Sequence, residues 1–462
     1  MAGDCWNNLP TVVLVDIFSY LSHKDRIKAS ATCKQWRSAL YHPSFWKNRP
    51  IHFKVNSKDL SSIPRTRFLS NFFAKSLHHV TVSFDWSSGL SVKEASKVLT
   101  KLGLNNILRT LVLKPWYNRT DNPERKFGLA ERYNVIERQF VVPLEAVIQQ
   151  SRALETLNLG CSEELVAYAG PVLELLALHQ PRSLRHLGLA SVKEDPDNYQ
   201  LVDLDPKWFM AFQKLQVLSL DYDYMNDGLL AALSVITLCR LVVHVHGIHE
   251  SHPHTSEQSW AMFTQNSPMC QLRLTLIHSY EAVEVLHSHI LKPSMPLTHL
   301  KVLFCGLINL RALNALYLWY CGSLTSLWWV DSIDSATNGS LLVVMEPVDP
   351  PEPIVMIAWR CIKLEELVFL GYDYWDTNLV AVSRLCSARL RRLEVAACCI
   401  LAQDEGVPYE AEVRKVLGKH WHSLLDSELP DAVRSCDHDS EEFILPVVMH
   451  DQLSPAHNAC LD

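Results

Sequence analysis

One phrase returns eleven times after residue 70 and limits what this chain can fold into: an apolar residue, two spacers, an apolar residue, one spacer, an apolar residue. It reads "LHHVTV" at Leu77, "LRTLVL" at Leu108, "LETLNL" at Leu154, "LRHLGL" at Leu184, "LQVLSL" at Leu215 and "LCRLVV" at Leu238. It continues as "MCQLRL" at Met269, "LTHLKV" at Leu297, "LTSLWW" at Leu324, "LEELVF" at Leu364 and "LRRLEV" at Leu390. Successive starts lie 31, 46, 30, 31, 23, 31, 28, 27, 40 and 26 residues apart. Alternation within each phrase is that of a short strand with one face turned inward. The residues between phrases leave room for a return helix, as in "ELVAYAGPVLELLALHQ" and "TNLVAVSRLC". A single strand and helix cannot cover their own apolar face, so the units have to stack into a solenoid. Two segments interrupt the period, 114–134 and 331–353. Both are rich in turn formers, and four prolines between Pro347 and Pro353 exclude a regular element there.

A different pattern precedes the repeats. In "LPTVVLVDIFSYL", residues 9–21, Leu14, Ile17, Phe18 and Leu21 follow the i, i+3, i+4, i+7 spacing of one helix face. Val12, Val13, Val15 and Tyr20 load the other sides, leaving Asp16 and Ser19 as solvent markers. Asp25 stands near the start of a second helix as its cap. That stretch carries Ile27, Ala31, Cys33, Trp36 and Leu40, and "HPSFW" adds Phe45 and Trp46. Three short helices in about fifty residues cannot enclose so many large apolar groups. The surplus needs either a partner or the following domain.

Leu9-Pro10, Leu14, Ile17-Phe18, Tyr20-Leu21, Asp25, Cys33, Trp36 and Phe45-Trp46 resemble the F-box motif in order and spacing. Val12 departs from it where Glu is common, and Thr32 where Val is usual. Together with the repeats, "ILKPSMPL" and "EPIVMIAWRCIKLEELVFLGYDYWDTNLVAVSRL" extend a resemblance to leucine-rich-repeat F-box proteins over nearly the whole chain. The resemblance implies an α/β fold, with a three-helix F-box followed by a leucine-rich-repeat-like solenoid of curved parallel sheet and outer helices. It also implies docking on a Skp-family adaptor within a cullin and RING ubiquitin ligase of the SCF type. Leu9, Pro10, Leu14, Ile17, Phe18, Leu21, Ile27, Cys33, Trp36, Leu40 and Trp46 are the expected adaptor contacts. The first helix is expected to be docking surface, not internal core. Residues 1–50 then form the docking module, 51–400 the substrate-recognising solenoid, and 401–462 a capping helix with an acidic, partly mobile tail. Two other readings compete: a scaffold not coupled to ubiquitin transfer, and an interaction protein whose first helices only cap the stack.

Charge and composition narrow the function classes. The first fifty residues hold seven Lys and Arg against three Asp and Glu, a net of +4, whereas residues 401–462 carry a net of −9. A mildly basic module suits an acidic adaptor, and no basic stripe suggests nucleic acid. No apolar run reaches the length of a membrane span, so the expectation is a cytoplasmic or nuclear protein. Thirteen cysteines, without a C-x-x-C pair, read as free thiols rather than a disulfide framework. No phosphate-binding or nucleophile-elbow motif is present, which points to a non-catalytic substrate receptor without cofactor. "HVHGIHESHPH" offers His244, His246, His249, His252 and His254, but no Cys or carboxylate stands at finger-like spacing, so no metal is expected.

Within each phrase the residue between the last two apolar positions points away from the core. These residues are Thr81, Val112, Asn158, Gly188, Ser219, Val242, Arg273, Lys301, Trp328, Val368 and Glu394. Most are small or polar, as on a solvated concave face. Trp328 stands out, with Lys301 and Val368 as ridge neighbours and Tyr372, Tyr374 and Trp375 just beyond the next strand. With Arg273, these are the expected contacts for an unknown protein substrate, because Trp, Tyr and Arg dominate binding hot spots.

Overall fold

The computed structural model describes residues 9–55, 61–116, 136–193, 195–196, 199, 201–202, 204–249, 252–334, 352–402, 409–418 and 420–455. The chain divides into two compact units, Met1–Leu159 with Pro171–Leu184 and Gly160–Gly170 with Arg185–Asp462. Most of both expected insertions lies outside the described residues.

The first unit opens with three short helices, α1 (Thr11–Ser19), α2 (His23–Ser30) and α3 (Lys34–Leu40). The cap of α2 is Ser22, one helical turn before Asp25. Ser22 Oγ accepts the Asp25 amide as an N-cap and donates to the Asp25 carboxylate at 2.6 Å, which holds the hydroxyl in place. Leu14 and Phe18 are fully buried, with the Phe18 ring edge-on to Trp36 at 5.6 Å. Trp46 donates Nε1–H to Leu40 O at 2.7 Å and stacks on Phe73 at 4.3 Å. Phe73 ends α4 (Ser62–Phe73), so one indole joins the helical module to the strands that follow.

Those strands are β1 (Ile51–Val55), β2 (His79–Asp85), β3 (Thr110–Trp116) and β4 (Thr156–Asn158). They pair in chain order and in parallel. Parallel neighbours need a crossover. Helix α4 supplies it between β1 and β2, α5 (Gly89–Leu102) between β2 and β3, and α6 (Val142–Gln150) between β3 and β4. The stack begins one strand before the first repeat phrase. Ile51, Phe53 and Val55 alternate like the later strands but contain no leucine.

Buried polar side chains tie one turn of this stack to the next. Asn105 Nδ2 donates to Ala74 O at 2.6 Å and Leu77 O at 2.8 Å. Ser151 Oγ donates to Asn105 O at 2.9 Å, and Gln180 Nε2 to Ile148 O and Ser151 O. All three side chains are essentially inaccessible to water. Each gives a buried loop carbonyl the donor it would otherwise lack.

The second unit repeats the scheme with β5 (His186–Gly188), β6 (Val217–Asp221), β7 (Arg240–Val245), β8 (Gln271–Ile277), β9 (Leu297–Leu303), β10 (Ser326–Val330), β11 (Glu366–Leu370) and β12 (Arg392–Val395). All are parallel and in chain order. The returning helices include α7 (Asp227–Leu233), α8 (Glu257–Asn266), α9 (Leu310–Trp319), α10 (Pro353–Arg360) and α11 (Asp376–Cys386), with α12 (Tyr409–Leu417) packed on α11. The polar bridges recur as well: Ser267 Oγ donates to Ile236 O, and Asn309 Nδ2 to Val283 O. The register slips once, between Leu272 and Arg273. Arg273 therefore lies beside Val242 and His299, and Thr275, not Arg273, is the neighbour of Lys301.

After α12 the chain returns along its own strand ends. Leu424 bridges to Ala396, Ile333 N donates to Val433 O, and Asp334 accepts Ser435 Oγ and Cys436 N. The acidic stretch 437–442 leads into α13 (Glu441–Leu453), which lies against β6 and β8. Among the described residues no helix is long and apolar enough to cross a membrane.

Replacing Asn105 by Ala should lower the unfolding free energy by about 1–3 kcal/mol, because two buried carbonyls lose their donor. Chemical denaturation checks this; an unchanged midpoint would mean that the carbonyls find other partners.

Candidate interaction surfaces

The expectation for the first helix needs correction. Leu14, Phe18, Leu40 and Trp46 belong to the module's own core rather than to its surface. Ile17, Leu21, Cys33 and Trp36 are half-buried, as is Leu9, while Pro10 is exposed. Cys33 caps α3, its Sγ accepting the Trp36 amide. The apolar surface left for a partner is Val12 at 80% exposure, Tyr20 at 84%, Ile27 at 49% and Val13 at 42%. Of these, only Ile27 was among the expected contacts. Val12, Val13 and Tyr20 lie off the periodic face, so the spacing that identifies a helix core passes over them.

The sheet face of the second unit is not solvated either. Arg273, Lys301, Trp328, Val368, Tyr372 and Tyr374 are all buried, and Trp375 is half-buried. Asp451 near the end of α13 is the reason for two of them. Its Oδ2 lies 2.6 Å from Lys301 Nζ and its Oδ1 3.1 Å from Arg273 Nη1. Arg240 Nη1 donates to Ser454 O at 2.6 Å, and Nη2 to Pro455 O at 3.0 Å. Burial pushes the Asp451 carboxyl up, but Lys301 and Arg273 beside it outweigh burial and hold it below the usual carboxylate range. The carboxylate therefore stays ionised, as its two cations require. Nearby, Met449 Sδ and Gln452 Nε2 both reach Cys161 Sγ.

Trp328 is held between cations, with Lys301 Nζ 4.5 Å and Arg392 Cζ 4.3 Å from the ring centre. Its Nε1–H donates to Glu366 at 3.2 Å. Val368 is its register neighbour on β11. Tyr372 donates to Asp331 at 3.0 Å and Tyr374 to Glu352 at 3.3 Å, so both hydroxyls close loops of the stack. Trp375 alone among these candidates keeps part of its side chain at the surface. Asp451, which organises the cluster, gave no signal in the sequence beyond being one acid in an acidic tail.

The histidines separate. His244 and His246 are buried on β7 and just beyond it, His252 stacks on Tyr222, His254 meets His289, and His249 is exposed. Asp221, His244 and His246 bring their ligand atoms within 4.8 Å of one another, the spacing a metal ion would need. The surrounding donors argue for a different role. Lys193 Nζ stands 3.4 Å from Asp221 Oδ2, and Ser191 N and Oγ donate to the same carboxylate at 2.7 and 2.6 Å. His244 Nδ1 and His246 Nε2 both face Ser191 O, at 2.8 and 3.1 Å, so each carries a proton there. Burial raises the Asp221 carboxyl, and Lys193 with His246 overcomes that and keeps it ionised. Burial lowers His244 to about 4, which keeps that ring neutral. The cluster is a buried Lys–Asp pair braced by two imidazoles. A dication would have to displace the lysine.

Residues 6–51 match the F-box-like family. The chain is 23% identical over 474 residues to F-box only protein 33 of Homo sapiens, covering 91% of this chain and 83% of that protein. It is 26% identical over 431 residues to F-box/LRR-repeat protein 21 of Mus musculus, covering 90% and 89% respectively. A solved internalin from Listeria monocytogenes aligns with 83% of this chain and 87% of its own, at 13% identity and a TM-score of 0.30. The chain thus carries an F-box-like module and is homologous over most of its length to F-box proteins.

Asp451→Asn should release α13, since two buried cations lose the charge that pairs them, at a cost of about 3–5 kcal/mol. Hydrogen exchange across 441–453 should rise sharply while β8 and β9 stay protected. Equal exchange in both forms would show that the apolar contacts of α13 suffice to seat it.

Proposed function

We propose that this chain is the substrate-recognition subunit of an SCF-type cullin-RING ubiquitin ligase. The observation that carries the reading is the exposed apolar set on α1 and α2, Val12, Val13, Tyr20 and Ile27, in a module that resembles an F-box and already has a closed core. Such residues have no structural use within the helices and fit the groove of a Skp-family adaptor. Leu9 and Pro10 flank the same face. In this division of labour residues 1–50 dock, 51–400 recognise substrate, and 401–462 close the sheet face.

The protein contributes position rather than chemistry. It holds a partner's lysine near a charged ubiquitin-conjugating enzyme, and the gain is one of effective concentration. Proteasomal degradation of the bound partner and a cytoplasmic or nuclear location follow from that role. Arg273 and Lys301 serve recognition by seating α13 through Asp451, with Trp328 stacked on Lys301 and Val368 beside Trp328 on the next strand. The edge at Trp375 on the solenoid and the outer side of α13, with Glu442, Pro446 and His450, are the surfaces offered to the substrate.

Val12→Asp with Tyr20→Asp should abolish co-purification of adaptor and cullin while leaving the melting temperature close to wild type. Leu9→Ala with Pro10→Ala should weaken recovery in the same direction. Phe18→Ala should instead destabilise the module by about 3–5 kcal/mol, as loss of a buried aromatic does. Full adaptor recovery by the double Asp variant would refute the docking face. Adaptor recovery without ubiquitin transfer to any captured protein would favour a scaffold.

A further inference from the structure

Between α2, β1 and the start of α4 the first unit has a half-open cleft of about 560 Å³. Its walls include Arg49, Lys54 and Arg65 together with His23 and His52, and no described lining residue is acidic. Arg49, Lys54 and Arg65 take part in no ion pair among the described residues. His23 Nδ1 is buried without a hydrogen-bond partner there. Arg49, Lys54 and Arg65 all carry permanent charge around one concave space that has no acid among its described walls, an arrangement an anion would stabilise.

The frame is rigid. Thr66 Oγ1 donates to Lys54 O at 2.8 Å and so fastens α4 to β1. His52 Nε2 meets Ser83 Oγ at 2.5 Å, and Trp46 stands edge-on to His23 at 5.5 Å. We propose that this cleft binds a small phosphorylated anion. Two guanidinium groups can each grip a phosphate through paired N–H donors, with Lys54 as a third point charge. The volume is that of a small-molecule site, and Ile27, Trp46 and Leu69 give it one apolar wall for the body of such a molecule. A cleft of this volume suits a compact ligand better than an extended phosphopeptide, which would need backbone partners along a longer groove. The site shares Ile27 with the proposed docking set while Val12, Val13 and Tyr20 stand outside its lining, and its existence does not depend on the ligase reading.

Pyrophosphate is the probe, titrated calorimetrically into the full-length chain at fixed ionic strength. One equivalent should bind, and Arg49→Gln with Arg65→Gln should weaken binding by about tenfold or more, the loss of roughly one charged contact or greater. The ligand-free melting temperature of that variant should stay near wild type. If it does not, Lys54→Gln, on an exposed strand position, replaces it with the same expected direction. The proposal falls if no heat is released, if chloride at equal ionic strength gives the same signal, or if the variants bind undiminished. Tighter binding of a phosphoserine peptide than of pyrophosphate would also overturn it, by assigning the cleft to a protein partner.

Discussion

A strand and its return helix expose on two sides the apolar residues that its neighbours must cover, and every other feature of this chain follows from that dependence. Leucines supply the apolar half of the contact, but they cannot serve the carbonyls left at each turn. That task falls to a second set of residues, Asn105, Ser151 and Gln180 in the first unit and Ser267 and Asn309 in the second. A buried carbonyl without a donor would cost about as much as one leucine contributes. The ladder of amides and hydroxyls therefore decides whether neighbouring repeats close on each other or stay ajar.

The same dependence leaves the far side of the sheet to be settled locally. On the second unit that side carries Arg240, Arg273 and Lys301 close together, and three cations cannot be buried without compensation. Asp451, the ends of α13 and the carbonyls of Ser454 and Pro455 provide it. Helix α13 is thus fixed less by its own helical tendency, which Pro446 weakens, than by the charges beneath it. Stability of this contact is present where Asp451 is ionised. Its pKa lies below the ordinary value, so that contribution is lost only as pH falls below the usual carboxylate range.

The strands were legible because period-two alternation marked by leucine survives any background. Within each unit the outward positions pair as expected, except that Arg273 meets His299 instead of Lys301, because Thr298 is an extra residue in β9. Strand β1 escaped because Ile51, Phe53 and Val55 alternate without the leucine signature. The destination of the C-terminal segment was illegible for a different reason. Nothing in "EEFILPVVMHDQL" distinguishes a helix on a sheet from one at the end of a stack, and the partner cations lie more than 140 residues away. Local patterning carries no information about such a pairing. Arg273, Lys301 and Trp328 were expected to meet a substrate, and their side chains find partners within the chain instead.

Helix α1 shows how the residues that mark a motif can be those its own core consumes. The residues that define its pattern, Leu14 and Phe18, are those the helices need for themselves. What remains for a partner is whatever apolar surface the core does not use, here Val12, Val13 and Tyr20. Two roles are thereby divided around one nine-residue cylinder. The core side tolerates little change, since Phe18 meets both Trp36 and Phe45. The outer side is free to vary as far as its partner allows, and specificity can drift there without cost to the fold. Trp46 extends the argument one layer inward. By stacking on Phe73 it makes the orientation of the helical module a property of the first repeat, so the exposed face of α1 is held by packing rather than carried on a flexible arm.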